Sequence, residues 1–236
     1  MLPSNGRKVE DKRNYHMTIE ELIILLRYVR QHYCPKWFVA ILTQFSLGLR
    51  ASEMLAIRIS DFNEKFSTLT YRQAKTNKMI YNEPIPEPLR RIIIAYIYHN
   101  RHRLRDGFLF PKYSGKGAFI NTRVYTAFWA KWRNAISKFY PKIKEGYIMP
   151  NGTKRYRVAS HSLRRLHRTV LVKHNPEKIY EISKACHYED FKAFQKYIND
   201  FELEEQKDQL IMPVMNHVVR NVALLGTNQD TLKKYF

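Results

Sequence analysis

His161-Ser162-Leu163-Arg164 places a histidine and an arginine on one face of the chain if this segment is helical, because helical neighbours recur at i, i+3. Tyr197 follows in a stretch that also holds Lys192 and Lys196. These side chains suit chemistry on a phosphodiester. Metal-free phosphoryl transfer needs arginines on the nonbridging oxygens, a nucleophile, a proton acceptor and an acid for the leaving oxygen. Arg50, Arg164, Tyr197, His161 and Lys75 can supply those parts. No glycine-rich phosphate loop, paired-carboxylate motif or His/Cys cluster at metal spacing competes with them, so no metal or other cofactor is expected.

The charge distribution names a partner class. The 236 residues carry 41 Lys+Arg against 21 Asp+Glu, a net charge of +20. Between Arg101 and Lys173, 18 basic residues face only Asp106 and Glu145. Such a stretch favours a polyanion, since every phosphate neutralised releases counterions, although a merely solvated basic surface is the plainer alternative. Cys34 and Cys186 are far apart and match no disulfide framework or metal spacing, which points to a reducing compartment. No run approaches the ~18 apolar residues of a membrane span. The expectation is a soluble, intracellular protein with a polyanion partner.

The elements that must position the chemistry are mostly helical. Thr18-Ile19-Glu20-Glu21 is a capping box that opens a helix to about His32, and Pro35 suits the first turn of a buried helix to Leu47. Gly48 permits a break, Ser52 and Glu53 favour a restart, and Arg50 is left at the junction, where its ordinary role is an ion pair with Glu53. Ser67–Arg72 and Met79–Ile85 read as the strands of a hairpin with Lys75 and Lys78 at or near its tip. A tip lysine is normally just solvated, but on a hairpin it can also swing onto a bound phosphate.

Leu89–Leu104 is a helix with a basic end, and in Thr122–Phe139 the spacing of Phe128, Trp129 and Trp132 is that of a buried stripe. Asn151-Gly152 turns a second, basic hairpin whose Lys154, Arg155 and Arg157 suit a DNA backbone. Ser160 is read as the cap of a helix from Leu163 to about His174, with Arg165 and Arg168 as further DNA contacts. Short helices follow over Pro176–Ala185 and Glu189–Ile198, then an apolar helix from Leu210 to about Leu225. The fold class is α+β: mainly helical, with small antiparallel hairpins.

In this order the motifs resemble the catalytic domain of the tyrosine recombinases, the phage-type integrase family. Gly48-Leu49-Arg50-Ala51-Ser52-Glu53-Met54-Leu55 is similar to the family's first arginine box, and Gln73-Ala74-Lys75-Thr76-Asn77-Lys78 to its hairpin-lysine motif, Lys75 being preferred because it precedes the polar turn. His161-x-x-Arg164 matches the His-x-x-Arg box, His187 the following His/Trp position and Tyr197 the nucleophile. The departures are Arg165 where the family often has histidine, Cys186 in place of a glycine, and one extra residue between His187 and Tyr197, which keeps Tyr188 and Tyr180 as outside candidates.

The resemblance implies a catalytic domain over residues 18–200, preceded by a basic arm at 1–17 and followed by a C-terminal helix and tail at 201–236 suited to subunit exchange. It implies a cytoplasmic protein that works on double-stranded DNA as a dimer to tetramer. Family members usually carry a separate N-terminal DNA-clamping domain, whereas this sequence has only the short basic arm, as a fragment or a reduced recombinase with a half-clamp would; weaker DNA affinity than that of a two-domain relative is expected. The implied chemistry is DNA breakage and rejoining, in integration or recombination, through a 3′-phosphotyrosyl intermediate without metal or ATP. Arg50, Arg164 and His187 would hold the phosphate, Tyr197 attack, His161 take its proton and Lys75 protonate the 5′-oxygen. A non-catalytic DNA-binding protein on this fold and a relaxing enzyme of the type IB topoisomerase kind are the alternatives.

Overall fold

The computed structural model describes residues 17–104, 107–112, 120–149, 151–188, 194 and 207–223. In chain order its elements are α1 (Ile19–His32), α2 (Pro35–Ser46), α3 (Ala51–Leu55), β1 (Thr68–Arg72), β2 (Met79–Pro84), α4 (Glu87–Asn100), α5 (Thr122–Ile136), β3 (Gly146–Ile148), β4 (Lys154–Tyr156), α6 (Ser160–His174), α7 (Ile179–Ala185) and α8 (Lys207–Ala223). Met17 is buried in the core, which corrects the expected edge of the N-terminal arm by one residue: an apolar side chain at the mouth of α1 has a core to enter. The capping box forms, with Thr18 Oγ1 accepting the Glu21 N–H at 3.2 Å and Glu21 Oε2 accepting the Thr18 N–H at 2.9 Å.

Helix α2 is buried along almost its whole length and is flanked by α1, α4 and α6. From α5, Tyr125, Trp129 and Trp132 point into the same core. The Trp37 ring stacks on Tyr125 at 5.9 Å between centroids and touches Phe128 at 4.1 Å, so the aromatic stripe is core, as its spacing predicts. Helix α4 starts two residues before the predicted Leu89, since Pro88 fits a first turn, and stops at Asn100; Arg101–Arg103 form a single 3-10 turn.

The two hairpins form where predicted. In β1–β2, Arg72 faces Met79 and Tyr71 faces Ile80, but Leu69 faces Glu83, so the register shifts by one residue and Asn82 adopts a φ of 54°. This bulge has a directional effect. Met79 and Tyr81 are exposed, and strict alternation would put Glu83 beside them in water; the extra residue turns Glu83 to the buried face. In β3–β4, a Cβ at Gly146 would lie 2.1 Å from the Arg155 carbonyl oxygen, and only glycine allows so close a pairing.

Helix α8 lies against α1, α4 and α6 of its own chain through Ile211, Val214, Met215, Val218 and Val222. Arg27 donates to the Asn221 carbonyl at 2.7 Å and 3.1 Å, and Arg30 to the Val222 carbonyl at 2.8 Å, covering acceptors that a helix C-terminus leaves open. Leu225, read as part of its apolar face, lies outside the described residues, as does the expected helix over 189–198 apart from Phe194. No helix among the described residues is long and apolar enough to cross a membrane.

Candidate active site

The site begins where α2 stops. Gly48 takes a φ of 60°, and a Cβ there would come within 2.5 Å of the buried His167 ring, so the chain can turn this tightly only at glycine. The turn makes Arg50 the residue before the first turn of α3. The acceptor for that first turn is Glu53, whose Oε2 takes the Arg50 N–H at 2.7 Å. Its Oε1 takes the Arg50 guanidinium at 2.7 Å and the Ala74 N–H, next to Lys75, at 2.9 Å. Arg164 Nη1 lies 3.8 Å from the same carboxylate and donates to the Gly48 carbonyl at 2.6 Å. Glu53 is fully buried while Arg50 keeps 31% of its side chain in solvent. Burial alone raises the pKa of such a carboxyl; the hydrogen bonds from Arg50 and Ala74, with the Arg164 charge, outweigh it and hold Glu53 below its ordinary value.

Helix α6 starts at Ser160, earlier than the predicted Leu163, because the helix is capped differently. Ser160 lies inside it, and Ser162 Oγ accepts the Ala159 N–H at 3.2 Å while donating to the Arg157 carbonyl at 2.5 Å. The early start brings His161 onto the helix, one turn from Arg164 on the same side. Crowding around the ring, then the charges of Arg165, Arg155 and Arg133, push the His161 pKa down, even though the residue stays exposed at the helix start. Buried Gln44 ties this end of α6 to the arginine turn: its Nε2 donates to Ser160 O at 3.0 Å and Leu49 O at 3.3 Å, and its Oε1 accepts from Tyr125 Oη at 2.9 Å. Sequence gave no sign of it, because one polar residue in an apolar helix does not reveal its partners.

Lys75 sits exposed in the β1–β2 turn. The turn is anchored from below, through the Ala74 amide on Glu53 and through Gln73, whose Nε2 donates to the His187 carbonyl at 3.3 Å. His187 has a φ of 56°, and its Nε2 is 2.7 Å from Glu83 Oε2, the carboxylate that the bulge turns inward. The structure therefore gathers Arg50, Arg164, His187 and the base of the Lys75 turn around two buried carboxylates. Tyr197 lies outside the described residues. Of the other tyrosines, Tyr188 is half-buried with its ring 4.6 Å from the Arg168 guanidinium and 5.2 Å from Phe194, and Tyr180 is exposed beneath Lys184.

Among the residues read as DNA contacts, Lys78, Lys154 and Arg155 are exposed and Arg165 is half-buried. Two need correction. Arg168 is 2% exposed and packs under Tyr188, and Arg157 is ion-paired with buried Glu21 and lies 3.4 Å from Glu145. Both guanidiniums are engaged inside the protein, because a charge this deep must be matched there.

No family model and no curated protein matches the sequence. Solved structures do. The XerH site-specific recombinase bound to palindromic difH substrate, in a post-cleavage complex, matches with a TM-score of 0.52 at 15% identity over 86% of this chain and 52% of its own. Its pre-cleavage complex on difH matches at 0.51 and 17% identity over 79% of this chain and 50% of that one. The Tn1549 transposon integrase, in complex with a circular intermediate DNA, matches at 0.53 and 17% identity over 78% of this chain and 60% of that one. The chain thus spans about half the length of the XerH structures. At these identities the likeness is one of architecture, and the architecture is that of a tyrosine recombinase catalytic domain.

Proposed function

We propose that this protein breaks and rejoins double-stranded DNA as a tyrosine-type site-specific recombinase. The observation that carries the reading is the Glu53 carboxylate, which gathers Arg50, Arg164 and the Lys75 turn in one place. Two guanidiniums braced from behind by one carboxylate keep their outer N–H groups for the nonbridging oxygens of a phosphate, and need no reorganisation when charge develops there. His187 adds a further donor. His161, held as a neutral imidazole by its lowered pKa, accepts the proton of the attacking phenol. A tyrosine is mostly protonated at neutral pH, with a reference pKa of about 10, and surrounding cations favour its phenolate.

Tyr197 attacks phosphorus, the bond from phosphorus to the 5′-oxygen breaks, and Lys75 protonates that oxygen. The phosphodiester energy is kept in the 3′-phosphotyrosyl bond, and reversal with a new 5′-hydroxyl rejoins the strand. Lys78, Lys154, Arg155 and Arg165 hold the flanking backbone, and the working unit on DNA is a dimer to tetramer.

The test is incubation with nicked suicide duplexes and a denaturing gel. A covalent adduct that disappears in Tyr197→Phe is the expected result. An adduct that persists moves the nucleophile to Tyr188 or Tyr180. Its absence from the unaltered protein on all DNA tried overturns the enzymatic reading in favour of a binding protein on the same fold, whereas fast relaxation of a plasmid without a cognate site favours a topoisomerase.

A further inference from the structure

Glu83 has no place in the mechanism above, yet it is 3% exposed and stands in a strand whose neighbours Met79, Tyr81, Asn82 and Pro84 all face water. A buried carboxylate costs stability unless it is matched. Two local distortions bring its match about: the bulge at Asn82, with φ at 54°, turns Glu83 inward, and His187, with φ at 56°, turns its ring to meet it at 2.7 Å. Left-handed backbone at a non-glycine residue persists only where the surroundings fix it. Here such residues lie on both sides of one contact.

We propose that Glu83 is the positioning residue for His187, holding Nε2 so that Nδ1 is the nitrogen presented to a DNA phosphate oxygen. The assignment rests on the reading of the site as a phosphate-cleaving centre. The chemistry follows from the proton inventory. An imidazole that gives one hydrogen bond to Glu83 and another to phosphate must carry protons on both nitrogens, and a carboxylate is the partner such a ring requires. Gln73 fixes the other end of the same residue through the His187 carbonyl, so backbone and ring are both tied to the hairpin that carries Lys75. Phosphate binding through His187 and the placement of Lys75 are thereby made one mechanical unit.

Two measurements test this. The first, imidazole 15N NMR of the DNA-free protein with His187→Gln for assignment, does not depend on activity. Glu83→Gln is expected to shift the His187 ring nitrogens and remove the hydrogen-bonded Nε2 proton signal, leaving His161 unchanged; an unaltered His187 spectrum overturns the proposal. The second is single-turnover cleavage. Glu83→Gln is expected to slow it about 10- to 100-fold, by analogy with the loss when the partner orienting a metal-binding histidine is removed, with DNA affinity unchanged. Glu83→Asp, which keeps the charge should the glutamine variant fold poorly, should recover part of the rate. In a His187→Asn background Glu83→Gln should cost less than about threefold. Equal losses in both backgrounds refute positioning through His187. If the unaltered protein forms no adduct, the proposed function fails, and the NMR result alone decides the role of Glu83.

Discussion

The two hairpins are alike in shape and charge but unlike in how their charges are used. The β1–β2 hairpin carries its carboxylate inward, as Glu83 on His187, receives a second from α3, as Glu53 on Ala74, and leaves Lys75 exposed. Around the β3–β4 hairpin, cations from its flank and from α5 serve the structure. Arg157, just beyond β4, pairs with Glu21, and the Arg133 guanidinium lies 4.0 Å over the Tyr156 ring, leaving Lys154 and Arg155 outside. A count of basic residues does not separate these cases; buried acidic partners do. The first hairpin is held from inside by two carboxylates with its lysine left in solvent, and the second presents a basic edge.

The largest expected effect comes from removing the carboxylate that the first hairpin shares with the arginines. Glu53→Ala should lower single-turnover cleavage by at least about 10³-fold, because several donors that bind developing charge lose their positions together and a single such donor is worth about 10²–10³. It also leaves Arg50 and Arg164 without their carboxylate; because Arg50 keeps 31% of its side chain in solvent, the stability loss should fall below the ~3–5 kcal/mol of a fully buried pair. Glu53→Gln separates charge from shape. The folded-state pKa of Glu53 is below its ordinary value, so its contribution is present above the unfolded value of about 4.3 and lost as pH falls through the folded one. Thermal melts of the Gln variant should accordingly lose less stability on acidification than the unaltered protein; an equal acid loss would show that Glu53 is not the titrating group.

Next in size is the contrast between the hairpins themselves. Lys75→Ala should slow cleavage about 10²–10⁴-fold, as expected for a general acid, and a 5′-bridging sulfur leaving group, which needs no proton, should restore most of the rate. Lys154→Ala and Arg155→Ala should leave the cleavage rate at saturating DNA alone and lower the salt slope of binding by about one each. Arg157→Met should behave like neither. It strands Glu21 in the core and should cost about 3 kcal/mol of stability in chemical denaturation, where Arg155→Met costs under about 0.5 kcal/mol.

The same distinction explains what was legible in the sequence. The order of helices, both hairpins and the spacing of Arg50, Lys75, His161 and Arg164 follow from local signals: a capping box, alternation, Asn-Gly, a helical stripe. The role of Glu53 was half-legible, since a carboxylate three residues after Arg50 suggests an ion pair, but its hold on Ala74 crosses from one element to another and leaves no local trace. Glu83 was illegible for a sharper reason. Strict alternation puts it on the wet face with Tyr81, and only the bulge, created by pairing with β1, reverses that. Arg157 and Arg168 were misread because a basic residue in a basic stretch looks exposed until its buried partner is known.

The smallest expected effect probes the outer charges from the active-site side. His161 must be neutral to accept a proton, so cleavage should rise with pH through its folded pKa, which crowding and then Arg165, Arg155 and Arg133 hold below the ordinary value. The sign is fixed by like-charge repulsion: removing a nearby cation stabilises the imidazolium and moves that pKa up. Arg165→Met should therefore shift the acid limb of the single-turnover profile to higher pH while leaving the plateau rate nearly intact. Arg155→Met should do the same more weakly, since its charge contributes less, and Lys154→Met should not move it. A limb that shifts equally in all three would mean that the basic edge acts through overall DNA affinity. A shift confined to the two arginines would show that Arg165 of α6 and, more weakly, Arg155 of the second hairpin set the proton affinity of His161 as well as lining a binding surface.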